Sequence, residues 1–215
     1  MCVRDFLSDP LSFLENNILL TSEFNGDINP GIKTFTLQPH RGVVGKKLGS
    51  VLPVYKLVPA NTLSSIIAYW CPYRANELHS VTVGRMARFM FTATMDGCSL
   101  GVGTDGGHGT RVISHVNSAN YGSGLEQALG MDKARAEQRK MQSNLLKHKH
   151  GSGQVSVISP LEYMRDVDGD LVLKSTTFGI RPDGIDDWHF YVHRYYKDMS
   201  KFNPILYLRD TTRVF

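Results

Sequence analysis

The chain has 215 residues, 24 Lys and Arg against 20 Asp and Glu, and 41% hydrophobic residues. That is long enough to bury a full core without metal or disulfide staples, and too apolar and aromatic for a disordered chain. A net charge of +4 and a pI near 8.9 fall short of a nucleic-acid-binding composition, since ordinary enzymes share them.

The N-terminus, MCVRDFLSDPLSFLENNILL, lacks a basic start followed by an unbroken apolar run. No secretory signal peptide is expected there. No apolar stretch approaches the roughly 18 residues of a membrane helix, so a membrane is not an expected partner. Asp9 suits a helix N-cap and Pro10 the first helical position, and Leu11, Leu14 and Ile18 recur at helical spacing. Asn25 to Gly31 is dense in turn formers. Short β-branched and aromatic runs follow, punctuated by Gly and Pro: Thr34–Leu37, Val51–Val58, Ser65–Trp70, Ser80–Val83 and Phe89–Met95. Cys98–Val102 and Thr110–Asn117 continue the pattern.

One long helix is predicted over Gly124 to His148, rich in strong helix formers and basic toward its end, with Gly151 available to stop it. Strands return at Gln154–Ser159, Leu171–Phe178, Trp188–Tyr196 and Ile205–Leu208. There is no internal repeat, low-complexity tract or linker. The expectation is a single catalytic domain over residues 1–215 of class α+β. Its mostly antiparallel or mixed β-sheets pack as a sandwich with flanking helices.

Three cysteines, Cys2, Cys71 and Cys98, are too few and too odd in number for a disulfide framework. They fit reducing surroundings, with one thiol as a candidate nucleophile. Cys98 is the one in a telling context. Asp105-Gly106-Gly107-His108 interrupts two strand-like runs, and Gly106-Gly107 suits a two-residue hairpin turn. A hairpin symmetric about that pair sets Cys98 directly opposite His115. Directly opposed Cβ atoms lie about 4.5–5.5 Å apart on one face. A histidine beside a thiol lowers its pKa and shuttles its proton, which is what nucleophilic cysteine chemistry needs. Against this stands the bland alternative of a buried structural cysteine and a core histidine.

Other features weigh less. Gly101-x-Gly103-x-x-Gly106 matches a dinucleotide fingerprint, but strand-like residues follow where a helix is required. His108 sits at the hairpin tip, a candidate for substrate contact rather than for the base. His189 and His193 lie four apart in a strand-like run, about 13 Å from each other and too far to share one metal ion. No metal site is expected. His148 and His150 end a basic helix, where cations favour the helix dipole. The basic residues of that helix read as a solvated face or a docking surface for an acidic protein.

The segment around Cys98 resembles the catalytic core of a family of glutamine-deamidase toxins, Burkholderia lethal factor and the cytotoxic necrotizing factors. Phe91, Thr92, Gly97 and Cys98 match at the same offsets. Asp105-Gly106-Gly107 resembles the family's turn, and Val112 to Asn117 its histidine strand. Leu20–Phe24 and Thr36–Pro39 also look similar to early strands of the lethal factor. Asp96 stands where the family has Ser and Asn117 where it has Asp, and the cysteine-to-histidine interval is longer.

The resemblance implies a cysteine hydrolase that converts one glutamine of a host protein to glutamate through a thioester. Cys98 would be the nucleophile, His115 the acid/base, and Thr92 the residue whose main-chain carbonyl orients His115. Gly97 would let the chain approach substrate closely, and the N–H of Cys98 and a neighbour would hold the oxyanion. No cofactor is implied. A translation initiation helicase or a Rho-family GTPase would be the protein partner. The enzyme would be made in a bacterial cytoplasm, exported by a dedicated secretion system, and act in host cytoplasm. The same Cys-His pair would also serve a cysteine peptidase or a transglutaminase. The non-enzymatic alternative is a protein-binding module, and RNA binding is a weaker one.

Overall fold

The computed structural model describes residues 2–21, 29–60, 65–104, 109–118, 131–151, 155–163 and 171–215. Two short helices open the chain, α1 (Cys2–Ser8) and α2 (Pro10–Glu15). Asp9 caps α2 as expected, its side chain accepting the Ser12 N–H at 3.0 Å. The helix stops at Glu15, earlier than the apolar spacing predicts. Ile18 instead begins β1 (Ile18–Leu20), which pairs in parallel with β5 (Val54–Pro59). β2 spans Gly31–Pro39, β3 Val44–Lys47 and β4 Ser50–Leu52. The run predicted as one strand over Val51–Val58 is therefore two, split at Pro53, which has no N–H to give a ladder.

The remaining strands are β6 (Ile66–Cys71), β7 (Leu78–Val83), β8 (Phe89–Thr92), β9 (Ser99–Gly103), β10 (Arg111–Val116), β11 (Val155–Ile158), β12 (Leu171–Ile180), β13 (His189–Asp198) and β14 (Ile205–Arg213). The long helix is α3 (Met131–His150), and α4 is Pro160–Tyr163. The part of the predicted long helix before residue 131 lies outside the described residues.

The strands form two sheets. One runs β1-β5-β2-β6-β8-β12-β13-β14-β3-β4, the other β11-β9-β10-β7. Pairings are antiparallel except β1–β5, β6–β8 and β3–β14. The period of two along each strand decides what is buried where. On β6 and β8, Ala68, Trp70, Phe89 and Phe91 face α1 and α2, packing with Phe6, Phe35 and Phe178. Tyr69, Cys71 and Met90 face the second sheet, meeting Cys98, Leu100, Ile113 and Phe190. α3 covers the outer side of the second sheet, touching β9, β10 and β11. Gly101 permits that approach, since a Cβ there would lie 2.8 Å from Leu146. The result is an α+β sandwich of mixed sheets with flanking helices, as the sequence pattern predicts. No helix among the described residues is long and apolar enough to cross a membrane.

Candidate active site

Cys98 immediately precedes β9 and His115 lies in β10, both turned into the space between the sheets. The observed register pairs Val112 with Gly103 and His115 with Leu100. His115 is therefore not directly opposite Cys98, as a Gly106-Gly107 turn would require. The ladder is displaced by two residues from that register, and the predicted turn itself lies outside the described residues. A two-residue displacement keeps every side chain on its face, so Cys98 and His115 remain diagonal neighbours on one side of the hairpin. Continued by two residues, the same register sets Asn117 across from Cys98. The Asn117 Nδ2 donates to the Cys98 Sγ at 3.1 Å.

His115 takes its hydrogen bond from the other sheet. Thr92 ends β8 on the inter-sheet face, and its Oγ1 lies 2.6 Å from the His115 Nδ1. Thr92 thus contacts His115, but through its hydroxyl rather than the main-chain carbonyl that the family resemblance implies. The Tyr73 ring lies 5.5 Å from the imidazole, centroid to centroid. The opposite ring nitrogen, Nε2, is buried without a hydrogen-bond partner. Cys98 and His115 do not hydrogen-bond to each other here. The thiol meets Asn117 and the imidazole meets Thr92.

Burial governs the protonation of both. The Cys98 side chain has no exposure and His115 has 1%. Desolvation pushes the thiol up to about 12, against the opposing hydrogen bond from Asn117. Desolvation, with help from the charge of His79 on the neighbouring strand, lowers His115 to about 3. The resting pair is therefore neutral thiol and neutral imidazole.

The loop that carries Cys98 is held by side chains far away in sequence. Gly97 N–H donates to the Tyr163 Oη at 2.9 Å, and that hydroxyl donates to the Cys98 carbonyl at 2.7 Å. The Gln142 Nε2 donates to the Gly97 carbonyl at 2.9 Å, while its Oε1 accepts from the Ser99 hydroxyl at 2.6 Å. Both Tyr163 and Gln142 are fully buried. Gly97 has φ of +124°, a conformation other residues rarely adopt, and a Cβ there would meet nothing within 4 Å. Glycine is needed for the backbone bend, and its open side faces the cleft. Because Tyr163 occupies the Gly97 N–H, that group is not free for an oxyanion. Asn117 supplies a side-chain donor at the thiol instead.

Tyr163 and Gln142 carry no motif in the sequence. Gln142 did leave a signal: it lies on the stripe Ala134, Gln142, Leu146, His150 that α3 turns inward. A polar residue in a buried stripe must find partners. Replacing Gln142 by Leu strands the Gly97 carbonyl and the Ser99 hydroxyl. A destabilisation of about 1–3 kcal/mol is expected, lowering Tm by roughly 3–10 °C in a thermal CD melt. An unchanged Tm would show that the clamp contributes nothing to stability.

Other predicted residues fall elsewhere. His108 lies outside the described residues, as does Gly106 of the Gly-rich run. Gly101 and Gly103 belong to β9, and the next described element is the strand β10. Cys71 is buried against the carbonyls of His79 and Ile113 at 3.8 and 3.7 Å, and burial raises it to about 12. His150 is not solvated at the helix end. It is buried, with Nε2 2.9 Å from the Ser114 Oγ. His193 is also internal: Leu19 N–H donates to its Nε2 at 3.3 Å, which leaves the Nδ1 proton to face the Thr211 Oγ1 at 2.8 Å. His193 is lowered to about 3, first by desolvation and then by the Lys47 charge.

These shifts set the pH range of stability. His115 and His193 stay neutral in the fold down to about pH 3, but protonate near 6.5 when unfolded. Their contribution is present above about 6.5 and is lost as pH falls toward 3, because the unfolded chain binds protons the native imidazoles refuse. Cys71 and Cys98 act in the opposite sense. Their contribution is present below about pH 9 and is lost as pH rises toward 12. Urea midpoints are expected to be level between these limits and to fall on both sides. A midpoint unchanged from pH 7 to 4 would contradict the buried neutral imidazoles.

A cleft of about 570 Å³ opens beside this loop, with Gly97 and Asn117 in its lining. Among the described residues, no group of three His, Cys, Asp or Glu side chains could hold a metal ion. No protein-family model and no curated protein sequence matches the chain. Among solved structures it is similar to the C-terminal domain of CNFy from Yersinia pseudotuberculosis, with a TM-score of 0.39 and 13% identity over 91% of this chain and 78% of that one. The likeness is a distant one.

Proposed function

We propose that the chain is a cysteine hydrolase that deamidates a glutamine side chain of a host protein. The observation that carries the reading is the set of groups converging between the sheets. Cys98 is met by a side-chain amide, and His115 is oriented from one nitrogen with the other left without a partner. The sequence resemblance around Phe91, Thr92, Gly97 and Cys98 supports the reaction class.

In this reading the Nδ1 proton of His115 is donated to the Thr92 Oγ1, which leaves the Nε2 lone pair free as a base. The Cys98 Sγ attacks the carboxamide carbon as its proton passes to Nε2. With the thiol near 12 and the imidazole near 3, proton transfer accompanies S–C bond formation rather than preceding it. Asn117 Nδ2 and the Cys98 N–H are the donors for the developing oxyanion. The C–N bond then breaks, and the imidazolium proton leaves with ammonia. Water, deprotonated by His115, opens the thioester, giving glutamate and the thiol.

The test uses a eukaryotic cell lysate treated with wild-type protein or with Cys98→Ser. Peptide mass spectrometry should find a dominant Gln-to-Glu conversion only with the wild type. Peptide cleavage or amine incorporation at that glutamine would replace the reaction by proteolysis or transamidation.

One observation favours a second reading, a binding module with an inert core thiol: Cys98 is fully buried. That reading requires Cys98→Ser to leave every activity unchanged.

A further inference from the structure

The cleft beside Cys98 is lined by two unlike groups of side chains. Arg135 and Arg139 form one, four residues apart on α3 and so stacked one helical turn from each other. Pro160, Leu161 and Val172 form the other, and Leu161 is 46% exposed. Among the described residues neither arginine is in an ion pair. The one described carboxylate lining the cleft, Asp96, is already engaged by the Lys174 Nζ at 2.9 Å. Gln138, between the arginines, is held by the Ser118 carbonyl at 3.0 Å. Among the described residues the cleft therefore presents two guanidinium groups without an ion-pair partner, together with aliphatic side chains, in a lining shared with Gly97 of the thiol loop.

A guanidinium binds a carboxylate through two parallel N–H bonds, a geometry that selects Asp and Glu. Side chains two apart in an extended segment lie about 6–7 Å from each other, which matches the spacing of residues four apart on a helix. We propose that this cleft selects a glutamine lying in an acidic segment, with flanking carboxylates held by Arg135 and Arg139 and an apolar neighbour resting on Leu161 and Val172. The proposal rests on Cys98 as the reacting group of the same site. A polynucleotide is the less suitable polyanion. The cleft lining offers Tyr73 as its only described aromatic ring, where single strands are held by successive stacked bases.

The experiment separates docking from chemistry by measuring binding to the Cys98→Ser chain. Fluorescein-labelled glutamine peptides carry two Glu, two Gly or two Lys flanking residues. The acidic peptide is expected to bind at least about tenfold tighter than the Gly peptide, with the advantage shrinking as salt rises. Arg135→Glu with Arg139→Glu should abolish or invert the order, while Arg135→Lys with Arg139→Lys should keep most of it. Circular dichroism confirms that each variant folds.

Equal binding of acidic and neutral peptides overturns the proposal, as does no peptide binding at all. So does an order unchanged by charge reversal. A single-stranded RNA that displaces the acidic peptide at lower concentration would assign the cleft to nucleic acid instead. Ammonia release by the wild type judges the reaction independently. Acidic selectivity without ammonia leaves the docking site and removes the deamidase reading. Ammonia without selectivity does the reverse.

Discussion

Replacing Cys98 by serine is expected to lower glutamine conversion by about 10³-fold or more while leaving the fold intact. The change removes the more acidic, more nucleophilic atom and keeps nearly the same volume. Serine can still accept from the Asn117 Nδ2, so the buried amide is not stranded. Tm should therefore move by no more than about 1–2 °C, less than for Gln142→Leu. The pairing of a large kinetic loss with a small thermal shift is what separates a nucleophile from a packing residue. A variant as active as the wild type would end the catalytic reading and leave the inert core thiol in its place.

The pH dependence of the wild-type rate is a property of the same pair. A thiolate–imidazolium resting pair would give a profile governed by two titrations around neutrality. The buried pair here is neutral across the whole span between about 3 and about 12. A profile of kcat/KM that is level from about pH 5 to 9 is consistent with proton transfer during attack.

How much of this was legible in the sequence depends on the distance between partners. The strands declare themselves by local runs, and the Cys98–His115 face follows from a hairpin read within twenty residues. The exact register is not encoded so simply, and the ladder falls two residues from the one that Gly106-Gly107 implies. The face survived because two residues are a full strand period; a one-residue error would have turned His115 away from the thiol. Short elements were silent. β3 (Val44–Lys47) has little β-branched content, and α1 (Cys2–Ser8) is only seven residues long. Tyr163 and Gln142 meet the Cys98 loop across 65 and 45 residues of chain. Only the packing of α3 and α4 against the sandwich brings them there, and no spacing rule contains that information.

The second large effect is expected at His115. His115→Asn keeps a polar group in the buried site but removes the imidazole that acts as the base in this reading, and a loss of about 10²–10⁴-fold in kcat is expected. A graded change one step away tests whether the imidazole works through its orientation. Thr92→Val preserves shape and deletes the hydroxyl 2.6 Å from Nδ1. It leaves the ring free to adopt the other tautomer, in which Nε2 carries the proton and cannot accept one from Cys98. A kcat loss of about tenfold to a hundredfold with KM unchanged is expected, with recovery in Thr92→Ser, which restores the hydroxyl. A Thr92→Val enzyme with wild-type kcat would mean that the imidazole is held by burial alone. Since Thr92 belongs to one sheet and His115 to the other, the measurement also asks whether the contact between the sheets is what makes the site competent.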